Sequence, residues 1–281
     1  MQKFVSLLGF LFVFQLPYPC LAQKGLFEKS KITECVNLKY GKHERQVLDV
    51  VYSEKLNASP VIIFIHGGSW RWGQKDYHRT IGKQFAKKGI VFLTINYRLY
   101  PNVRFPSFPE DVALSVKWAR EKINRFGGNP EKLFLMGHSA GAHSASLVGL
   151  DDRYLKNLGG DLDWISGVIP MACPFYFEPH KEFLYRDLFP ASIDTDSFMP
   201  MGIELSKQTP PFFIMHGFFD PIIRNEQAFQ FAEKLKKNGS DAHVKLYKSH
   251  GHFSLVRRTT SWHIWPNPLL SDVTNFVMSK S

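Results

Sequence analysis

Seven apolar runs of strand length, separated by longer helical patterns, constrain most strongly what this chain can become. The runs are Gln46–Tyr52, Val61–His66, Ile90–Asn96, Leu133–Gly137, Gly167–Met171, Phe212–His216 and His243–Lys248. Most are continuously apolar, as expected of strands covered on both faces. Between or after them, Tyr77–Lys88, Pro109–Arg125, Ala140–Leu150, Asn225–Asn238 and Pro268–Ser279 carry helical periodicity. Such alternation predicts one α/β domain with a mostly parallel sheet of about eight strands and helices on both faces. Val36–Tyr40 lies close enough to Gln46–Tyr52 to form an antiparallel hairpin at the sheet edge.

One stretch breaks the alternation. Residues 174–209 follow the Gly167–Met171 run and are rich in aromatics, Pro and Asp. An insertion there sits above the carboxyl ends of the strands, where open α/β sheets bind ligands, and is expected to form a small cap.

The N-terminus has a different character. Lys3 precedes the apolar run Phe4–Leu16, followed by Pro17, Pro19 and the small residue Ala22. This order predicts a secretory signal peptide over residues 1–22, a mature domain over 23–281, and a secreted or periplasmic protein. The run is too short for a comfortable span, and no other stretch approaches one. Cys35 and Cys173 then remain, expected as unpaired buried thiols.

With 35 Lys+Arg against 25 Asp+Glu, the formal net charge is +10. The basic residues, among them Arg71, Lys75, Arg79 and Lys83, are scattered over expected helices rather than interleaved with aromatics. A solvated basic face is therefore expected, not a nucleic-acid-binding surface.

The sharpest chemical signal is Gly137-His138-Ser139-Ala140-Gly141, placed where a strand run ends and a helical pattern begins. A tight strand-to-helix turn lifts a Ser hydroxyl above the sheet, and the helix N-terminus offers oriented N–H groups to an oxyanion. Upstream, His66-Gly67-Gly68-Ser69-Trp70 ends another strand run and suits the second half of such a hole. Asp220 and His252 each follow a later strand run, giving the order Ser139, Asp220, His252. His250 is the rival for the base, but its place nearer the strand end favours packing. The histidines show no metal-ligand spacing, and the chemistry needs neither metal nor organic cofactor. Asp111, near a helix start, is expected to cap that helix.

Together these motifs resemble the α/β-hydrolase-fold serine esterases over residues 36–279. The closest likeness is to the carboxylesterase branch with H-G-G-x-W, which includes the kynurenine formamidases. Residues 66–70, Asn96–Pro101, Pro109–Val112, Phe126–Pro130 and Gly137–His143 carry the likeness. The resemblance implies Ser139 as nucleophile, His252 as general base and acid, and Asp220 orienting the imidazole. It implies an oxyanion hole from the backbone N–H groups of Gly68, Ser69 and Ala140. Trp70, His138 and Phe175 are candidate substrate-pocket residues.

The expected activity is hydrolysis of small acyl or aryl esters through an acyl-enzyme. An arylformamidase is the alternative within the same chemistry, disfavoured by the export signal. A non-catalytic binding protein usually lacks a triad residue or a hole glycine, and none is missing here. A prolyl-oligopeptidase-type peptidase needs a gating domain for which there is no room. The charged 174–209 segment argues against a lipase lid.

Overall fold

A computed structural model describes residues 20–22, 31–260 and 268–281. In chain order the strands are β1 (Cys20–Ala22), β2 (Ile32–Lys39), β3 (Val47–Ser53), β4 (Ser59–Ile65), β5 (Val91–Ile95), β6 (Gly128–His138), β7 (Gly167–Met171), β8 (Phe212–Gly217) and β9 (Ala242–Tyr247). The α-helices are α1 (Arg79–Lys87), α2 (Ser107–Lys122), α3 (Ala140–Leu150), α4 (Arg153–Lys156), α5 (Glu226–Lys237), α6 (His252–Thr260) and α7 (Pro268–Ser279).

All nine strands form one sheet in the order β1-β2-β3-β5-β4-β6-β7-β8-β9. From β5 to β9 every pairing is parallel, whereas β1, β2 and β3 join antiparallel at one edge. This is the α/β-hydrolase fold expected, with β1 as the strand beyond the anticipated eight.

Successive residues of a strand point to opposite faces, and the core divides accordingly. Val61, Ile63 and Ile65 of β4 pack with Val112 and Val116 of α2, Leu147 of α3 and Phe231 of α5. Ile62 and Phe64 of the same strand pack on the other face with Ile81 and Phe85 of α1, Leu255 of α6 and Val273 of α7. The central strands β4, β5 and β7 are apolar without alternation because both faces are roofed, whereas β2 and β9 nearer the edges alternate.

From β4 the chain crosses to β5 on one side, whereas from β6 it crosses to β7 on the other. The β4–β6 pair is thus a topological switch point, and the crevice above its carboxyl ends is where an open sheet of this kind takes a ligand.

Several expectations change here. Lys75 does not join a solvated basic face. It is buried, with Nζ 2.8 Å from Asp49 Oδ1. Asp111 is no helix cap, since it lies inside the first turns of α2 and accepts from Gln46 Nε2 and Arg98 Nη2 at 2.7 Å each. Its other oxygen takes the Arg98 backbone N–H at 2.8 Å, so the carboxylate ties the Asn-Tyr-Arg segment after β5 to α2. Cys173 is a free, buried thiol as expected, but Cys35 is disulfide-bonded and stands opposite Cys20 in the β1–β2 register. Residues 1–19 of the expected signal peptide lie outside the described residues, and its last three form β1.

Candidate active site

At the end of β6 the chain turns sharply into α3, and Ser139 occupies the turn with φ 53° and ψ −120°. Positive φ is costly for a residue with a Cβ. The turn is held by the Ser139 N–H donating to Met171 O at 2.9 Å. Gly141 is required by close approach, since a Cβ there would sit 2.3 Å from the carbonyl oxygen of Ile65.

His252 opens α6 and Asp220 lies in the loop after β8. His252 Nε2 is 3.0 Å from Ser139 Oγ, and His252 Nδ1 is 2.8 Å from Asp220 Oδ2. Three residues far apart in sequence thus form one continuous relay. Asp220 Oδ1 also accepts the N–H groups of Ile222 and Ile223, both at 2.9 Å. Burial raises the Asp220 pKa, but the bonds from His252 and these two amides outweigh it and leave the carboxyl below its ordinary value. His216, buried beside it, donates from Nε2 to Ile223 O at 3.0 Å. Burial lowers its pKa. His250 is buried and edge-on to Tyr247.

The loop after β4 runs beside the elbow, close enough that a Cβ on Gly67 would lie 3.2 Å from Ser139 Cβ. Gly68 has φ 120°, and a side chain there would strike Trp72 O at 2.2 Å. Its own carbonyl accepts from Arg71 N and Trp72 N, closing a tight turn. Ser69 and Trp70 both carry positive φ, at 53° and 56°. Among the described residues, no protein acceptor engages the backbone N–H groups of Gly68, Ser69 or Ala140. His66 braces this loop, its Nδ1 lying 2.8 Å from Gly67 O, and burial pushes its pKa down to about 4.

The pocket residues expected from sequence are placed otherwise. Trp70, 2% exposed, anchors an aromatic cluster with His143, Phe177, Tyr185 and Phe189. Phe175 is fully buried against Phe231 of α5, with ring centroids 4.2 Å apart. His138 is directed toward the backbone of His252 rather than toward an opening. Big aromatic side chains minimise exposed area by packing, and a pattern of residue types does not distinguish a wall from a core. Beside the relay, the exposed aromatic rings are those of Phe219 and Phe253, which neighbour Asp220 and His252 in sequence and are 68% and 67% exposed. Position next to Asp220 and His252 was the available sequence signal for Phe219 and Phe253.

Residues 174–209 contain short 3₁₀ turns at Pro179–Lys181 and Thr195–Ser197 rather than an α-helix. They pack over the loop after β4 through Tyr185 and Phe189, and Phe105 N donates to Leu188 O at 2.9 Å.

The BD-FAE family model matches residues 48–164, and the Prolyl oligopeptidase family model matches residues 194–264. Among curated proteins, a probable isoprenylcysteine alpha-carbonyl methylesterase of Oryza sativa subsp. japonica is 27% identical over 79% of this chain and 57% of its own length. Esterase LipC of Mycobacterium tuberculosis is 30% identical over 70% of this chain and 54% of its own. The chain thus spans about half the length of the curated relatives it matches. Among solved structures, a truncated carbohydrate esterase from gut microbiota aligns with TM-score 0.74 at 19% identity, covering 92% of this chain and 99% of that one. Esterase B from Lactobacillus rhamnosis aligns with TM-score 0.72 at 21% identity, covering 89% and 85%.

Proposed function

We propose that this chain, which has the α/β-hydrolase fold and is similar to esterases in sequence, is a serine esterase that hydrolyses small acyl or aryl esters. The relay Asp220–His252–Ser139, with contacts of 2.8 and 3.0 Å, is the observation that carries the reading. Ser139 Oγ attacks the acyl carbon while His252 Nε2 takes its proton. Asp220 holds the Nδ1–H tautomer and stabilises the imidazolium. The oxyanion receives the N–H groups of Gly68, Ser69 and Ala140, with the N-terminal dipole of α3 adding to them. His252 then protonates the leaving alcohol, and water attacks the acyl-enzyme by the reverse route.

Leaving groups depart on the side of His252, where Phe253 and Phe219 expose their rings. That supports an aromatic or apolar leaving group.

We also propose that the protein is exported. The charge and apolar order of residues 1–22 supports this, as does a disulfide at Cys35, a bond that persists in oxidising compartments.

The deciding experiment measures hydrolysis of p-nitrophenyl acetate, butyrate and octanoate and of N-formylkynurenine, with Ser139→Ala alongside. Ester turnover falling with acyl length and abolished by Ser139→Ala is expected. Formamide cleavage far above ester cleavage would move the protein to the arylformamidase reading, and absence of Ser139-dependent turnover on any of them would overturn the proposal.

A further inference from the structure

His138 sits in the nucleophile motif but takes no part in the relay. Its imidazole is 5% exposed, and Nε2 lies 2.9 Å from the backbone carbonyl oxygen of His252. A carbonyl only accepts, so Nε2 carries the proton and donates it. The two imidazole rings lie 4.9 Å apart. On its other side the His138 ring meets the loop after β4, where a Cβ on Gly67 would come within 2.9 Å of Nδ1. One side chain therefore touches the loop bearing the candidate oxyanion donors and the backbone of the base, and is joined by a peptide bond to the nucleophile.

Building on the esterase reading, we propose that His138 is a positioning residue that holds His252 over Ser139 through the His252 carbonyl. Asp220 fixes the imidazole of His252 at Nδ1, and the His138 bond adds a main-chain restraint by tying the first residue of α6 to the end of β6. Misplacing a reacting group by about 1 Å costs on the order of 10²-fold in rate. Either protonation state of the ring would donate from Nε2, but a charged one would oppose the imidazolium that His252 forms in catalysis. Burial, followed by the neighbouring charge of His252, pushes the His138 pKa down to about 3, so the ring stays neutral.

The test compares His138→Leu and His138→Gln on p-nitrophenyl butyrate, with Ser139→Ala as control. Leu fills similar volume without a donor, whereas the Gln amide nitrogen stands near the position of the imidazole Nε2 and donates. His138→Leu is expected to lower kcat on the order of 10²-fold with KM changed less than about twofold. His138→Gln should recover most of that loss. Labelling of Ser139 by a fluorophosphonate should slow in the same order. Should His138→Leu fail to fold, His138→Asn replaces it: its shorter amide does not reach the carbonyl, so Asn must be slow where Gln is fast. Wild-type kcat in the Leu variant, or equal loss in Gln and the variant without reach, would overturn the assignment. A wild-type protein lacking Ser139-dependent turnover would instead overturn the esterase reading, a failure distinguishable from the first.

Discussion

The Arg71 guanidinium donates twice to the carbonyl oxygen of Leu184, from Nε at 3.1 Å and from Nη2 at 2.8 Å. Arg71 lies one residue beyond Trp70 in the loop after β4, and Leu184 lies in the segment over the strand ends. The same guanidinium stacks 4.0 Å from the Tyr100 ring centroid, and Ser69 Oγ is 3.3 Å from Tyr185 Oη. The overlying segment is therefore latched to the loop that carries the candidate oxyanion donors. Arg71→Ala should remove about 2 kcal/mol, the worth of hydrogen bonds to a charged group. For a chain of this size that lowers Tm by a few degrees. Thermal melting checks it, and a KM that rises more than kcat falls would show that the latch shapes substrate binding.

Asp220→Asn should leave the fold intact and lower kcat on the order of 10⁴-fold, because the amide favours the wrong tautomer of His252. Steady-state kinetics with a matched circular-dichroism spectrum measures this. A loss below about tenfold would mean that Asp220 does not orient the imidazole.

Gly68→Ala forces a Cβ to within 2.2 Å of Trp72 O at a φ of 120°. The loop must shift, and its N–H groups move away from Ser139. A loss in kcat of about 10² to 10³-fold is expected, the effect of removing one oxyanion donor. Ala142→Gly on α3 provides the control for a change of one methyl group close by, and its kcat should stay within a few-fold.

Acid should destabilise this protein well above the carboxylate range. Burial pushes His66 down to about 4 and His78, His138 and His143 to about 3. Unfolded histidine titrates near 6.5. Between roughly 6.5 and 4 the unfolded state therefore binds protons that the folded state refuses, so stability falls as pH falls through that window. Each such histidine contributes a slope of about 1.4 kcal/mol per pH unit within it. The lowered pKa of Asp220 adds a further loss below about 3.9, where its unfolded form takes a proton first. Denaturant midpoints measured from pH 7.5 to 4 should fall steeply, and a flat profile would contradict the buried neutral state.

Processing at the N-terminus is open to direct measurement. Cys20 opposes Cys35 in the β1–β2 register, and Cys35 is disulfide-bonded. Cleavage after Ala22 removes Cys20 and β1 together. Under the proposed export the protein is expected to retain Cys20, so its first residue by intact-mass analysis should lie at or before position 20. A mature chain starting at Gln23 would show that β1 is not part of the mature fold.

Much of the architecture was legible in the residues. Continuous apolar runs such as Val61–Ile65 specify strands roofed on both faces, and both bounds of α3 follow from Ser139 and the helical pattern after it. β1 was hidden because Cys20–Ala22 lies in a stretch whose local composition signals a leader. The start of α6 was hidden because His252 follows a Gly and carries no capping signal. Asp111 illustrates a different gap: proximity to a helix start suggests a cap, whereas its partners Gln46 and Arg98 arrive from other elements.

Residue types and their order determined the fold class and picked out Ser139, Asp220 and His252, because strand-to-loop junctions in a parallel sheet bring their loops to one edge. Tertiary structure decided what is near what. It joined the three side chains into a relay, turned Trp70 and Phe175 inward, exposed Phe219 and Phe253, and set His138 against the carbonyl of His252. These outcomes rest on contacts between residues distant in sequence, from 32 positions for Asp220 with His252 to 114 for His138 with His252. Local pattern carries no record of them, since burial and hydrogen bonding depend on which surfaces the folded chain brings together.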